Sequence, residues 1–323
     1  MKTTGQNLGV IGFGCMGLSH AYGAAVTEEQ AIDLVKEAYA IGYRFFDTAA
    51  VYTGRDREGN LSVNEVIVGK ALKDVREQCV IATKYGVSHG ENGLVTDGSI
   101  ENLRRSLDQS LKNLQTDYID LFYLHRIDPK VPLEEIAFEM KRQIEAGRIK
   151  GWGISEATKE DIEKVQSICP LSAIQNRYSL MARWYEPLID YCNEQDIVFV
   201  AFSPLANGFL TTTNPNQEFN DPADFRAGMP QYSKEGSEKA AALMNELQAM
   251  AEAHHCTIAQ LSLAWMTTKY PNLIPIPGST KPERIRQNFD SSKVNLSKEE
   301  VQKLDELTDH ADLPVYGGKV IEK

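Results

Sequence analysis

Seven short apolar runs in this chain end on a side chain that can ionise or hydrogen-bond: Asp47, Lys84, His125, Ser155, Gln175 followed by Asn176, Ser203 and Ser279. A carboxylate, an ammonium, an imidazole and a set of amides and hydroxyls gathered at one place can hold a polar ligand and move a proton at it. Singly, each reads as well as a cap or a solvated loop residue. Asp47 with Lys84 alone reads as a structural buried ion pair, and His125 alone as a satisfied core histidine. The series carries weight because the amino-terminal ends of the same runs show nothing comparable. A second chemistry is readable in Ser279-Thr280-Lys281-Pro282-Glu283-Arg284, where a hydroxyl, two cations and the free N–H groups of a starting helix suit a phosphate.

Two further patterns point elsewhere and fail on inspection. Gly12-Phe13-Gly14-Cys15-Met16-Gly17 matches G-x-G-x-x-G after a predicted strand, the spacing of a dinucleotide-binding turn. That fingerprint needs a helix at the third glycine and an acidic residue about 20 positions on. Here the next helix begins only at Thr27, and Asp47 stands too far away. The glycines instead allow a sharp turn near a bound ligand, which makes Gly14 and Met16 binding candidates. His254, His255 and Cys256 suggest a metal, but neighbours on a helix point about 100° apart, so a helix end is the better reading and no metal is expected.

The elements that must position these residues alternate regularly. Predicted strands at 9–14, 44–48, 79–84, 118–125, 149–155, 172–176, 197–203 and 273–279 alternate with predicted helices at 27–41, from 62, 99–114, 133–146, from 158, 185–193, 237–254 and 258–268. Capping boxes open several helices: Thr27 with Gln30, Ser62 with Glu65, Thr280 with Glu283 and Ser297 with Glu300. Strands apolar on both faces and separated by helices imply a parallel sheet buried on both sides. Eight such units imply an α/β chain folded as one (β/α)8 TIM barrel over residues 1–323. In that fold the carboxyl ends of all strands converge on one face, which gathers the residues above. The connection 204–236, rich in Asn, Pro and Gly, is far longer than an ordinary barrel loop and reads as a lid or binding loop, with a disordered insertion as the alternative.

Composition narrows the partners. The 323 residues carry 34 Lys+Arg against 45 Asp+Glu, a formal charge of −11, which argues against nucleic acid or an anionic membrane surface. No apolar stretch reads as a membrane span or a secretory leader, and five scattered cysteines read as reduced thiols, so a cytoplasmic location is expected. An oligomer is allowed but not implied.

The stretches FFDTAAVY (45–52), IATKYG (81–86) and LFYLHR (121–126) resemble the aldo-keto reductase family. The similarity continues through GWGIS (151–155), IQNRYSL (174–180), AFSPLANGFL (201–210) and IPIPGSTKPERIRQN (274–288), nearly the whole chain. The resemblance implies a catalytic tetrad of Asp47, Tyr52, Lys84 and His125 and an NADPH-dependent reduction of a small aldehyde or ketone by direct hydride transfer, without metal. Physical chemistry agrees. A carbonyl accepts a hydride only when its oxygen is stabilised, so a proton donor must lie within reach. A phenol is a weak acid near neutrality, and Lys84 beside Tyr52 is expected to lower its pKa, with Asp47 holding the lysine charged and His125 helping at the carbonyl oxygen.

For the cofactor, the resemblance implies that Ser279, Thr280, Lys281 and Arg284 hold the 2′-phosphate of NADPH, that Gly278 also lies at the cofactor and that Gln287 and Asn288 lie at the adenine. Ser155, Gln175 and Asn176 would hold the carboxamide and Tyr178 would stack on the nicotinamide. Phe202, Ser203, Leu205, Gly208 and Leu210 would line the pyrophosphate path. Two departures stand out: Glu156 follows Ser155 where many members have asparagine, and Gln287 stands where some have glutamate. Met16, Tyr22, Tyr85 and His89 are candidates for the substrate pocket. A partner-binding barrel like the potassium-channel β subunits of this superfamily is the second reading; a metal hydrolase, a third, lacks clustered ligands.

Overall fold

In the computed structural model, residues 2–3, 6–91, 93–211, 219, 221, 224–309 and 315–317 are described. Eight parallel strands form one sheet in sequential order: β1 (Phe13–Gly14), β2 (Phe45–Asp47), β3 (Val80–Tyr85), β4 (Leu121–Leu124), β5 (Trp152–Ser155), β6 (Ala173–Arg177), β7 (Val198–Phe202) and β8 (Leu273–Pro275). The helices are α1 (Glu28–Ile41), α2 (Asn64–Leu72), α3 (Ile100–Leu114), α4 (Leu133–Glu145), α5 (Lys159–Gln166), α6 (Glu186–Glu194), α7 (Lys234–Ala253), α8 (Ile258–Lys269), α9 (Pro282–Asp290) and α10 (Lys298–Asp309). This is the expected (β/α)8 architecture.

The sheet closes on itself. Gly12 N–H donates to the Pro275 carbonyl (3.0 Å) and Gly14 N–H to the Pro277 carbonyl (3.2 Å), joining the first strand to the last. Neither proline has an N–H to return, so the seam is bonded in one direction only. It is also tight: a Cβ on Gly14 would stand 2.6 Å from the Ile276 carbonyl oxygen, and one on Gly278 2.2 Å from the Gly14 oxygen. The G-x-G pair therefore closes a barrel rather than cradling a dinucleotide, and the strand is shorter than the 9–14 expected.

Strand alternation sorts the core. Phe45, Val80, Ala82, Leu121, Tyr123, Ala173, Val198, Val200 and Ile274 fill the barrel interior. Phe46, Ile81, Phe122, Ile154, Ile174 and Phe199 face the helices in a larger outer core. Continuing the inward positions two residues at a time leads to Asp47, Lys84, His125, Gln175 and Phe202, so the pleat itself delivers those side chains to the barrel's carboxyl mouth.

Local signals are mostly obeyed. Thr27 with Gln30 and Ser297 with Glu300 form reciprocal caps, and Thr158 does so with Asp161. Two predicted boxes do not form. Ser62 lies in a hairpin strand (Leu61–Val63) paired with Thr53–Arg55, and α2 starts after Val63 without a side-chain cap, because Glu65 instead accepts from Thr83 (2.7 Å) and Asn113 (2.9 Å). Helix α9 starts after Lys281, not Thr280, also without a side-chain cap. His254 is the C-cap of α7, and its ring meets Glu300 at 2.7 Å, a helix-to-helix contact. Of the long connection, residues 212–218, 220 and 222–223 lie outside the described residues; short 3-10 turns at Ala206–Thr211, Phe225–Gly228 and Pro230–Tyr232 occupy much of the rest. The tail beyond Leu313 is described only at 315–317.

Candidate active site

The mouth of the barrel brings Asp47, Tyr52, Lys84 and His125 together. Lys84 Nζ lies 2.5 Å from Asp47 Oδ1, 2.8 Å from the Thr48 carbonyl and 3.3 Å from the Tyr52 hydroxyl. An ammonium has three N–H groups, and these three acceptors use them all, so the buried lysine is held as a cation. Burial pulls the Lys84 pKa down, but Asp47 and Tyr52 together outweigh it and leave it raised. Asp47 is fixed from its other side by Gln175, whose Nε2 donates to Oδ2 at 2.7 Å.

Tyr52 departs from the expectation of a depressed pKa. Burial raises it, Lys84 lowers it and Asp47 raises it again, with a net upward shift. The reason is that the low-dielectric site penalises phenolate, and the Lys84 cation, opposed in part by Asp47, does not make up for it. Tyr52 therefore stands as a phenol whose oxygen accepts from Lys84 and whose own proton is left to point outward. His125 presents its ring edge-on to the Tyr52 ring, centroids 5.9 Å apart. Burial, with Lys84 and Arg126 nearby, holds the His125 pKa well below the ordinary value, so its imidazole is neutral. Its buried Nδ1 has no hydrogen-bond partner among the described residues.

The Tyr52 loop is held by Asn64, Ser19 and His20, which the sequence reading passed over, and by His89, expected in the substrate pocket. Asn64 donates to the Cys15 carbonyl (2.9 Å) and to Ser19 Oγ (2.7 Å) and accepts from Thr48 (2.6 Å), while Ser19 donates to the Tyr52 carbonyl (3.0 Å). His20 stacks on the Tyr52 ring at 5.8 Å and its Nδ1 lies 3.1 Å from the Thr53 carbonyl; His89 Nε2 lies 3.1 Å from the Val51 carbonyl. Met16 packs against the cluster of Ala49, Val51 and Tyr52. Tyr85, by contrast, is fully buried and stacks on Phe122 outside the barrel; it faces α3 and not the mouth.

The cofactor candidates divide. Ser155 donates to the Gln175 carbonyl (3.0 Å) and accepts from Arg126 (3.1 Å) at the inner mouth. Asn176 is spent: its amide both donates to and accepts from the Ala157 backbone. Tyr178 is a correction. It is wholly buried outside the barrel, stacked on Trp265 at 5.4 Å, with its hydroxyl donating to Glu186 at 2.6 Å, and no nicotinamide could reach it. Residue parity explains this, since Gln175 points inward and a residue three further on must point out. Phe202, inward-facing and partly exposed, is the aromatic ring at the mouth. Leu210 is fully buried in the outer core and lines no path, and Leu205 is buried there too. Ser203 and Gly208 remain at the surface of a strained turn, with φ of +51° and +97°, alongside Ala206 (+48°) and Asn207 (+58°).

Lys281, Arg284 and Gln287 are exposed along α9, while Asn288 is buried. Neither Lys281 nor Arg284 has a carboxylate partner among the described residues, and Ser279 Oγ accepts the Lys281 N–H at 3.1 Å. An uncapped helix start with two unspent cations fits a phosphate. No group of three or more His, Cys, Asp or Glu side chains suited to a metal occurs among the described residues. No helix among them is long and apolar enough to cross a membrane.

A (β/α)8 barrel with a tyrosine, lysine, aspartate and histidine convergent at its carboxyl mouth defines the general class as a barrel oxidoreductase. The model of the Aldo/keto reductase family matches residues 10–309, and the chain belongs to that family, whose members generally carry out NAD(P)H-dependent carbonyl reduction. It is 36% identical over 322 residues to the "Probable aldo-keto reductase 1" of Glycine max, covering 99% of this chain and 90% of the relative. An aldo-keto reductase of Klebsiella pneumoniae, solved in complex with NADPH, is 25% identical with a TM-score of 0.70, covering 93% of this chain and 91% of that one. The glycerol dehydrogenase of Gluconobacter oxydans shares the fold with a TM-score of 0.81 at 23% identity, over 97% and 96% of the two chains.

Proposed function

We propose that this protein reduces small aldehydes or ketones to alcohols with NADPH, with Tyr52 as the proton donor. One observation carries the reading: Lys84 fills all three of its N–H groups, one of them on the Tyr52 hydroxyl at 3.3 Å. That bond points the phenol's proton away from the lysine, toward the open mouth. Bound NADPH supplies the hydride. As charge grows on the carbonyl oxygen, Tyr52 donates to it, and the nearby Lys84 cation stabilises the phenolate left behind. Asp47 and Gln175 keep Lys84 in place. His125, neutral and edge-on to Tyr52, contributes a second N–H to the same oxygen. In the oxidation direction Tyr52 acts as the base.

Lys281 and Arg284, with the N–H groups opening α9 and with Gly278, Ser279 and Thr280 leading into it, would take the 2′-phosphate, which favours NADP(H) over NAD(H). Gln287 lies on the same exposed face. Ser155 and Gln175 would meet the carboxamide, and Phe202 replaces Tyr178 as the stacking ring. The Klebsiella relative's complex with NADPH supports this cofactor. The test is Tyr52→Phe. Turnover of any aldehyde should fall by at least about 100-fold while NADPH still quenches protein fluorescence with an unchanged Kd. A variant turning over at the wild-type rate would remove Tyr52 from the proton path.

A further inference from the structure

Arg177 was not among the residues singled out from the sequence, yet it has the same strand parity as Gln175 and so faces the mouth from the end of β6. Its residue is only 7% exposed. A guanidinium has five N–H donors. Among the described residues, the one side-chain hydrogen bond that Arg177 makes is to Asn207 Oδ1, at 3.2 Å. The rest of its surroundings are aromatic or backbone: the Phe202 ring at 4.9 Å, the Tyr316 ring at 5.5 Å, and Gly317, whose missing side chain leaves the backbone close against the guanidinium. No carboxylate lies within 4 Å of it among the described residues.

Three other cations near the barrel strands are matched by carboxylates. Lys84 has Asp47, and Arg76 has Asp120 at 2.7 Å. Arg126, on the neighbouring strand end, has Glu156 at 3.3 Å. A buried charge without a directly bonded counter-charge is costly, and chains seldom keep one without use. Burial lowers the Arg177 pKa, and Glu156, too far away to bond it, offsets that only in part. The turn that supplies Asn207 is held in left-handed backbone at Ala206 and Asn207, a further cost borne beside the same guanidinium.

Resting on the reductase reading above, the structure assigns Arg177 as the anchor for an acidic substituent of the substrate, so that the preferred substrates are carbonyl compounds carrying a carboxylate. The placement suits this. Phe202, on which the guanidinium sits, is the ring proposed to face the nicotinamide, so an acid group on Arg177 lies beside the reacting carbonyl. Tyr316 and Gly317 form the outer wall of that subsite. Arg177 does not touch the reacting atoms; it is a specificity-determining residue.

The experiment compares 4-formylbenzoate with 4-formylbenzamide, two aldehydes alike in shape and different in charge, in the wild type, Arg177→Met and Arg177→Lys. In the wild type, kcat/KM should favour the carboxylate by tenfold or more. In Arg177→Met it should fall about 100-fold for the carboxylate, with the amide and the Kd for NADPH changed less than twofold, and Arg177→Lys should recover part of the loss. Equal losses on both aldehydes, a wild type without preference, or a rise confined to the NADPH Kd, which would assign the guanidinium to the cofactor's pyrophosphate, would each overturn the proposal. Calorimetric titration of benzoate into the enzyme with NADP+ separates this failure from failure of the reductase reading. Benzoate binding lost in Arg177→Met supports the anion site even without turnover, and no binding to the wild type ends it.

Discussion

Replacing Lys84 by methionine tests whether the buried ion pair is catalytic or merely structural. The ammonium is wholly enclosed and 2.5 Å from Asp47, which is 2% exposed. Removing one partner of such a pair leaves an uncompensated buried carboxylate, at a cost of about 3–5 kcal/mol. Against a total of about 5–15 kcal/mol the variant still folds, but its urea midpoint drops sharply. A second variant, Asp47→Asn with Lys84→Met, removes the stranded charge while its amide oxygen still accepts from Gln175. Stability should return by about 2 kcal/mol or more. Activity should not return. Without the Lys84 donor at 3.3 Å, nothing stabilises the Tyr52 phenolate, and kcat should fall by about 10²–10⁴ in both variants. Urea unfolding and steady-state NADPH oxidation at 340 nm read the two effects separately. Recovery of near-wild-type kcat in the double variant would show that the pair only supports the fold, and would refute the proton path drawn above.

Cofactor choice is tested by Lys281→Ala, which should weaken NADPH binding by about 1.5–3 kcal/mol and leave NADH nearly unchanged; equal weakening of both would mean that Lys281 does not meet the 2′-phosphate. The pH profile follows from the raised pKa of Tyr52. Reduction needs the phenol, so kcat should stay flat through neutrality and fall only above the ordinary tyrosine value near 10, whereas alcohol oxidation, needing phenolate, should rise toward alkaline pH. A reduction rate already falling between pH 7 and 8 would contradict a raised Tyr52 pKa. Tyr178→Phe should leave the NADPH Kd unchanged and lower stability by about 1–3 kcal/mol through the lost bond to Glu186. Phe202→Ala should weaken NADPH binding, and the reverse ranking would restore Tyr178 to the cofactor.

Much of the tetrad was legible because three of its members sit at strand ends, where alternation, apolar content and one terminal polar residue are all visible in the chain. Arg177 was equally legible in principle. It lies two residues after Gln175, and counting by twos marks it as inward while it marks Tyr178 as outward. The family pattern drew attention to the aromatic residue, and the pleat decided otherwise. Asn64, Ser19 and His20 carried no such signal, since their roles depend on contacts with Thr48, Tyr52 and Thr53 across loops. The Ser62 cap failed for a related reason: a hairpin claimed Ser62, and Glu65 met Thr83 and Asn113 instead.

The sequence by itself determined the barrel, its strand count and the face on which chemistry gathers, because these follow from periodicities of two and 3.6 residues that every segment carries within itself. Only the tertiary structure decided the state of the groups once gathered. Whether Tyr52 is a phenol, whether Lys84 spends all its donors and whether Arg177 has a carboxylate in direct contact depend on burial and on partners far away in the chain, as Asp47 with Gln175 shows. Those are sums over neighbours in space, which no local pattern encodes.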